Sequence, residues 1–362
     1  MKRSSTRTFA ATACCIAMFG LSFAPANADP PRAIGDSRVV ADLPDFPGFP
    51  EGIAVSGKKM YVAAPAQFGN AGPGKIHVFD AHSGDHLDDY DIPAHNITPD
   101  HGLVGVALDG SGHLYVADVQ LPGIVQLDLT SGATKNVKLP DLPPCAQLVP
   151  TPCSPTTTAR PPFPNDMAFD KAGNLYVTDS FQATVWKISS AAWSALPETV
   201  EPEVWYQSPD FDRVPFGPNG IRFSPDDTDK ELCVAVTGPP GGIYCINFAD
   251  KTKRLVRSYP TEGPDNMAFG ETRNLYVALA FANQVAKINP NAEEKRFTGP
   301  AQGPNGPIPY DAPAGVAFDN SSGSLLVTNH ALNTGLVVKK LFVVFDVYVN
   351  DRAHPLHRPA IQ

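Results

Sequence analysis

The sequence predicts an all-β fold, namely a six-bladed β-propeller built from antiparallel four-stranded blades. Three observations support this prediction. One short unit recurs six times, each copy pairs two strand-like segments around a turn, and the connecting residues are rich in glycine and proline. A repeat of roughly 50 residues with several strands per unit is typical of propeller blades.

The repeated unit begins with a polar or glycine-containing pair, continues as an alternating strand, and returns as a strand resembling Leu-Tyr-Val-Ala. The two strands of the six copies lie at 51–55 and 60–63, 101–108 and 114–118, 165–169 and 175–179, 219–223 and 232–235, 265–269 and 275–278, and 314–318 and 325–328. One such unit cannot bury both of its faces alone. Stacking six of them into a closed ring solves this and leaves few exposed edges.

The two ends of the ring need a closing strand. A strand predicted near residues 37–43, ahead of the first copy, is expected to complete the last blade at 324–349. We therefore expect residues 29–362 to form one propeller domain, and a ring closed in this way to be a monomer.

The first 28 residues have the features of a secretory signal peptide. Basic residues Lys2, Arg3 and Arg7 precede an apolar stretch, and Ala26-Asn27-Ala28 is a small-residue cleavage site. The apolar stretch is shorter than the roughly 20 residues that a membrane helix needs. The sequence predicts a secreted or periplasmic protein with no membrane span. The chain has 28 basic and 37 acidic residues, which makes nucleic acid an unfavourable partner.

Four cysteines follow the predicted leader, and an even number in an exported chain favours disulfides. The favoured pairs are Cys145 with Cys153, within a proline-rich loop at about 140–164, and Cys233 with Cys245, across a hairpin. Other pairings and free thiols remain open from the sequence alone.

The first strand of each propeller blade is innermost, so residues that begin these strands converge on one axial channel. Oxygen ligands at these positions suit a hard divalent cation. The competing interpretation is that asparagine and aspartate before glycine only form turns. That interpretation does not explain Glu51, which is a poor turn former. The sequence predicts a metal site formed by Glu51, Asn165, Asn219 and Asp265, with Asn266 beside Asp265.

Several phrases around these residues resemble the regucalcin and gluconolactonase family. They are Phe49-Pro50-Glu51-Gly52, Pro164-Asn165-Asp166, Gly217-Pro218-Asn219-Gly220 and Gly263-Pro264-Asp265-Asn266. The resemblance implies a six-bladed propeller with an axial divalent cation and lactone hydrolysis. Asp265-Asn266 is also similar to the calcium site of paraoxonase-type lactonases, which implies that Asn266 is a further metal ligand. His101-Gly102 is similar to one of their catalytic histidines.

The sequence therefore leads to a metal-dependent hydrolase of lactones or related esters. Ca²⁺ is the favoured ion, with Mg²⁺, Mn²⁺ or Zn²⁺ as alternatives. Asp265 is expected to be both ligand and general base, and His101 is the second catalytic candidate. Phe49, Phe163 and Phe216 are expected to line a substrate pocket, whereas His330 is interpreted as structural or surface. The alternative is a non-catalytic exported binding propeller with a structural metal ion.

Overall fold

The computed structural model describes residues 31–66, 74–92, 102–145, 153, 160–194, 201–225, 230–335, 337–338 and 341–361. Ala33–Gln362 forms one compact unit. The predicted signal peptide and His101 lie outside the described residues, so both remain predictions.

Six antiparallel sheets follow one another along the chain, and the predicted six-bladed propeller is confirmed. In blades 1 to 5 the strands are ordered from the axis outward in chain order. Blade 1 contains β2 (Ile53–Ser56), β3 (Lys59–Ala64), β4 (Lys75–Asp80) and β5 (His86–Asp91), and blade 2 contains β6 (Leu103–Leu108), β7 (His113–Asp118), β8 (Gly123–Asp128) and β9 (Thr134–Lys138). Blade 3 contains β10 (Pro164–Phe169), β11 (Leu175–Asp179), β12 (Thr184–Ile188) and β13 (Glu203–Gln207), and blade 4 contains β14 (Pro218–Phe223), β15 (Glu231–Val236), β16 (Gly241–Asn247) and β17 (Lys253–Tyr259). Blade 5 contains β18 (Pro264–Phe269), β19 (Leu275–Leu279), β20 (Gln284–Ile288) and β21 (Glu294–Phe297).

Blade 6 combines the two ends of the chain, as predicted. Strands β24 (Pro313–Asp319), β25 (Ser324–Asn329) and β26 (Val343–Tyr348) are completed by β1 (Ser37–Asp42), which pairs antiparallel with β26. Two short strands extend this sheet, and the few helical turns lie in connections. These elements are β22 (Ala301–Gly303), β23 (Gly306–Ile308), the helix Ala191–Ser194, and the 3₁₀ turns Pro209–Phe211 and Ala280–Ala282.

The core lies between neighbouring blades, because each sheet buries its apolar face against the next. Tyr115 of blade 2 packs edge-on against Phe169 of blade 3 and against Trp193, with ring centroids 4.9 Å apart in both pairs. The second strands are almost fully buried, whereas the outermost strand β5 is largely exposed. Each large side chain buried in this way stabilises the ring by roughly 1.5–3 kcal/mol.

Both predicted disulfides are present, Cys145 with Cys153 and Cys233 with Cys245. Cys233 and Cys245 lie directly opposite each other on β15 and β16, so the bond joins two paired strands. Two disulfides are consistent with an oxidising compartment. Among the described residues, no helix combines the length and apolar character needed to cross a membrane.

Candidate metal centre

The inner strands share a backbone irregularity that positions the site. In blade 3, Pro164 pairs with Asp179 and Met167 with Val177, so the inner strand contains one extra residue between the two pairs. The same shift occurs in β6, β14, β18 and β24. A β-bulge of this kind redirects the side chains that it contains. In β10, β14 and β18 the bulges contain the polar residues Asn165, Asn219 and Asp265. In β6 and β24 they contain Val104-Gly105 and Ala314-Gly315 instead.

Four predicted ligands meet in one cavity of about 60 Å³ on the propeller axis. Glu51 precedes β2, Asn165 lies in β10, Asn219 in β14 and Asp265 in β18. All four are at least nine-tenths buried. We call these four residues the axial set. The cavity can hold an ion with one or two water molecules, but it is too small for an organic substrate.

Hydrogen bonds between blades hold the axial set in place. The Ser180 hydroxyl accepts a bond from Asn165 Nδ2 at 3.1 Å and donates to the carbonyl of Pro218 at 2.6 Å. The Thr328 hydroxyl donates to the Glu51 carbonyl at 2.6 Å. Because Asn165 uses its amide nitrogen in this bond, its amide oxygen is the group left to bind a cation.

Glycines beside the axial set allow the inner strands to approach closely. A Cβ atom at Gly105 would lie 2.2 Å from the Asn165 carbonyl oxygen, and one at Gly220 would lie 2.6 Å from the Asp265 carbonyl oxygen. Real Cβ atoms are not found so near a backbone oxygen. A larger residue at either position would force neighbouring strands apart and widen the ring around the axis.

The two carboxyl groups of the axial set are buried close to a third one, that of Asp166. Burial raises the pKa of Glu51 well above its ordinary value, and the charges of Asp265 and Asp166 raise it further. Burial and the Asp166 charge raise the pKa of Asp265 to about 7, against the effect of a hydrogen bond from Asn219. Arg222 forms an ion pair with Asp166. Glu51 and Asp265 are therefore two buried carboxyl groups whose ionised forms have no basic partner among the described residues, and a divalent cation would stabilise those ionised forms.

Unsatisfied acceptors provide a second reason to place a cation here. Asn219 Oδ1 and Asp265 Oδ1 are buried and accept no hydrogen bond from any described residue. A buried polar atom without a partner is destabilising, and such atoms often mark the binding site of an ion or water. The donor set of two carboxylates and two amides consists of oxygen atoms, which suits Ca²⁺, Mg²⁺ or Mn²⁺. The residues present fit a hard divalent cation.

Asn266 differs from the other predicted ligands. Its Oδ1 accepts a hydrogen bond from Arg222 Nη2 at 3.1 Å, and the residue does not line the axial cavity. Successive residues of a strand point in different directions, so Asp265 faces the cavity while Asn266 faces the next layer along the axis. Asn266, Asp166 and Arg222 form a polar layer immediately beside the axial set.

His330 lines the same cavity, which the interpretation as a structural or surface residue did not anticipate. It is buried, and burial lowers its pKa to about 4 although Asp311 and a bond to the Ala66 backbone oppose the shift. Its Nε2 makes no hydrogen bond with the described residues. A neutral ring that donates through its other nitrogen presents the lone pair of Nε2 to the cavity. The sequence feature that could have indicated His330 as a cavity residue is its position directly after the second strand of blade 6, in Thr328-Asn329-His330.

The aromatic residues form one side of the opening. Phe163, Phe216 and Phe281 line the axial cavity, and the rings of Phe163 and Phe216 pack together with centroids 5.4 Å apart. Phe49 differs from the prediction, because it is completely buried and lies outside the cavity lining. Its ring packs against Phe342 and against the edge of His330, with ring centroids 4.7 Å and 6.1 Å away, so its side chain lies behind that histidine.

The fold is similar to several solved propellers. Regucalcin from Agrobacterium tumefaciens, described as a calcium-binding protein, superposes with a TM-score of 0.61 and 13% identity over 90% of this chain and 97% of that one. The PQQ-bound aldose sugar dehydrogenase from Streptomyces coelicolor gives a TM-score of 0.57 and 14% identity over 85% and 96%. A putative gluconolactonase gives 0.56 and 13% identity over 88% and 93%.

These similarities confirm the expected likeness to regucalcin and gluconolactonase at the level of the fold. No protein-family model matches the chain, and no curated protein sequence matches it. The three solved propellers have different functions in their descriptions. Since one fold supports several chemistries, the function has to be argued from the site.

Proposed function

We propose that this protein is a divalent-metal-dependent hydrolase of lactones or related esters. The observation that carries the proposal is the axial set, in which two buried carboxyl groups and two amides line one small cavity and two of their oxygens have no hydrogen-bond partner among the described residues. Structural similarity to a putative gluconolactonase and to a calcium-binding regucalcin supports the same choice. Glu51, Asn165, Asn219 and Asp265 would hold the ion, with Ca²⁺ favoured.

The bound ion would polarise the carbonyl of the substrate and stabilise the oxyanion that forms as water adds. Asp265 keeps one carboxylate oxygen free of hydrogen bonds, which suits it to bind the ion and to accept a proton from the attacking water. The unprotonated Nε2 of His330 is a second proton acceptor in the same cavity. His101, which the structure does not describe, remains a predicted catalytic residue.

The substrate would lie above the ion, because the cavity itself is too small for it. Phe163 and Phe216 flank this position, and Phe281 is 41% exposed at the rim. Apolar rings around a polar centre favour a lactone or ester with an apolar part over a highly hydroxylated one.

The proposal is tested by metal content and lactone turnover measured on the same samples. The wild type should contain about one ion per chain after incubation with Ca²⁺ and should hydrolyse some members of a panel of aliphatic, aromatic and sugar lactones. Asp265→Ala should lose both. The matched control is Asp109→Asn, because Asp109 is also buried but lies outside the cavity, where it accepts bonds from the Ser111 and His113 amides.

Metal content and lactone turnover together also distinguish the hydrolase from the alternative, a non-catalytic binding propeller. An ion that is lost in Asp265→Ala, without turnover of any lactone or ester by the wild type, would identify a binding propeller with a structural metal ion. No ion in the wild type, even after incubation with Ca²⁺, Mg²⁺ or Mn²⁺, would refute the metal-dependent mechanism itself.

A further inference from the structure

A second cavity lies at the other end of the inner strands. It has a volume of about 530 Å³, and the inner strands of all six blades contribute to its wall. Asn165, at the start of β10, lines the axial cavity, whereas the end of the same strand lines this one. We call it the basal cavity.

The basal cavity exists because one position of the repeat carries a small side chain. Five of the six inner strands have alanine at this position, and the fourth has arginine, so no large apolar side chain fills the axis there. These residues are Ala54, Ala107, Ala168, Arg222, Ala268 and Ala317. Cavities of roughly 300–1,000 Å³ with mainly apolar walls are typical binding sites for small organic molecules.

Arg222 closes the inner end of the basal cavity. Its guanidinium is bound to Asp166 and Asn266, the polar layer beside the axial set. The charge of Arg222 is therefore neutralised within the protein and is not available to a ligand. This layer makes the basal cavity a compartment separate from the candidate metal centre.

The C-terminal segment crosses the basal face and provides the rest of the wall, at residues 353–358. It is attached to several blades. The His354 amide donates to the Phe269 carbonyl at 2.8 Å, and the Gly110 amide donates to the Pro359 carbonyl at 2.9 Å. Asp351 accepts a bond from the Tyr276 hydroxyl at 3.0 Å. These contacts to blades 2 and 5 hold the segment across the axis.

Arg358 places a guanidinium in the basal wall without a carboxylate partner. It donates to the Ser56 hydroxyl at 3.0 Å and to the Val55 carbonyl. Among the described residues, no acidic group forms an ion pair with it. Glu271, the carboxylate in this wall, is exposed to solvent. A half-buried guanidinium beside an apolar cavity attracts an anionic group, since its charge is only partly solvated.

We propose that the basal cavity binds an amphiphilic organic anion, such as a carboxylate or sulfonate with an apolar body. The apolar body contacts the alanine-lined wall, and the anionic group pairs with Arg358. This site is independent of the proposed hydrolase activity, because the Arg222 layer separates it from the axial set. The ligand would be recognised by the positive charge of Arg358 and by the apolar wall next to it.

A pair of matched fluorescent probes tests the proposal on the full chain. 1-Anilinonaphthalene-8-sulfonate and N-phenyl-1-naphthylamine share an aromatic body, and only the first carries an anionic group. Titrations are made with wild type, Arg358→Gln, Arg358→Lys and Ala317→Trp, which fills the cavity. The control is Arg254→Gln, because Arg254 lies on the surface and is paired with Glu231. Thermal melting establishes that each variant is folded.

The wild type should bind the sulfonate probe, and Arg358→Gln should weaken this binding about tenfold or more while binding of the neutral probe changes little. Arg358→Lys should restore much of the affinity, Ala317→Trp should abolish binding of both probes, and decanoate should displace the sulfonate. Equal sulfonate affinities in wild type and Arg358→Gln would overturn the proposal. Unchanged binding in Ala317→Trp would also overturn it, because the probe would then bind elsewhere.

Discussion

Substituting Asp265 with asparagine should stabilise the metal-free protein, although Asp265 is proposed to be essential for metal binding. The pKa of Asp265 is about 7 in the folded protein, compared with an ordinary value of 3.8. At about 1.4 kcal/mol for each pKa unit, this difference corresponds to about 4 kcal/mol at pH 8. Asp265→Asn removes the charge while keeping the shape of the side chain, so it should recover much of this free energy of unfolding.

The sign of the effect depends on pH. The folded state binds the Asp265 proton more tightly than the unfolded state, so metal-free wild type loses stability as the pH rises from about 4 to about 7. Above pH 7 the penalty is complete. At pH 5 most of the penalty is absent, because the folded state keeps Asp265 protonated, and the advantage of Asp265→Asn should shrink accordingly. Ca²⁺ at a hundred times its Kd should stabilise wild type by about 2.7 kcal/mol, and this gain should be absent in the variant.

Equilibrium urea unfolding of wild type and Asp265→Asn, at pH 5 and pH 8 and in EDTA or Ca²⁺, measures the free energy of unfolding under each condition. The control Asp109→Asn should lower stability under every condition and retain the full effect of Ca²⁺, since its hydrogen-bonded carboxylate lies outside the axial cavity. If Asp265→Asn is less stable than wild type in EDTA at pH 8, the two uncompensated axial charges do not destabilise the protein. If Ca²⁺ stabilises wild type and variant equally, Asp265 is not a ligand.

Three other predictions follow from the geometry. Gly105→Ala should destabilise the protein by about 1–3 kcal/mol and weaken Ca²⁺ binding in calorimetry, because the new Cβ would collide with the Asn165 carbonyl; an unchanged Kd would show that strand spacing does not control the site. His330→Gln should lower kcat for the best lactone by roughly 10²–10⁴ while metal content stays at the wild-type level, and full activity would exclude His330 as the base. Burial lowers the pKa of His77 against the influence of Asp89, so the neutral ring is favoured on folding and stability should fall as the pH drops below about 6.5. His77→Gln should reduce this slope, which is at most about 1.4 kcal/mol per pH unit, and identical pH profiles in urea unfolding would contradict the assignment.

The repeat in the sequence determined the blades and the axial set. Alternation of apolar residues sets the strands, and the residues that begin the inner strands of blades 1, 3, 4 and 5 include the four polar side chains of the axial set. Glu51, Asn165, Asn219 and Asp265 therefore could be placed on one axis without coordinates, although they are far apart in the chain. The closing strand at Ser37–Asp42 and both disulfides were predictable for similar reasons, since each depends on a local pattern or an even number of cysteines.

Only the tertiary structure determined which side chains line the axial cavity, which form the polar layer around Arg222 and which line the basal cavity. At the bulge in β18, the Asp265 side chain lines the axial cavity and the Asn266 side chain binds Arg222. The residue types alone do not indicate which of the two adjacent side chains faces the cavity. His330 lines the axial cavity and Phe49 is buried behind it, because the position of both side chains depends on the packing of blade 6 against blade 1. The basal cavity likewise depends on residues 353–358 crossing the axis, which brings together parts of the chain that share no repeat. Strand periodicity is a local property, whereas the contents of a cavity depend on every element that surrounds it.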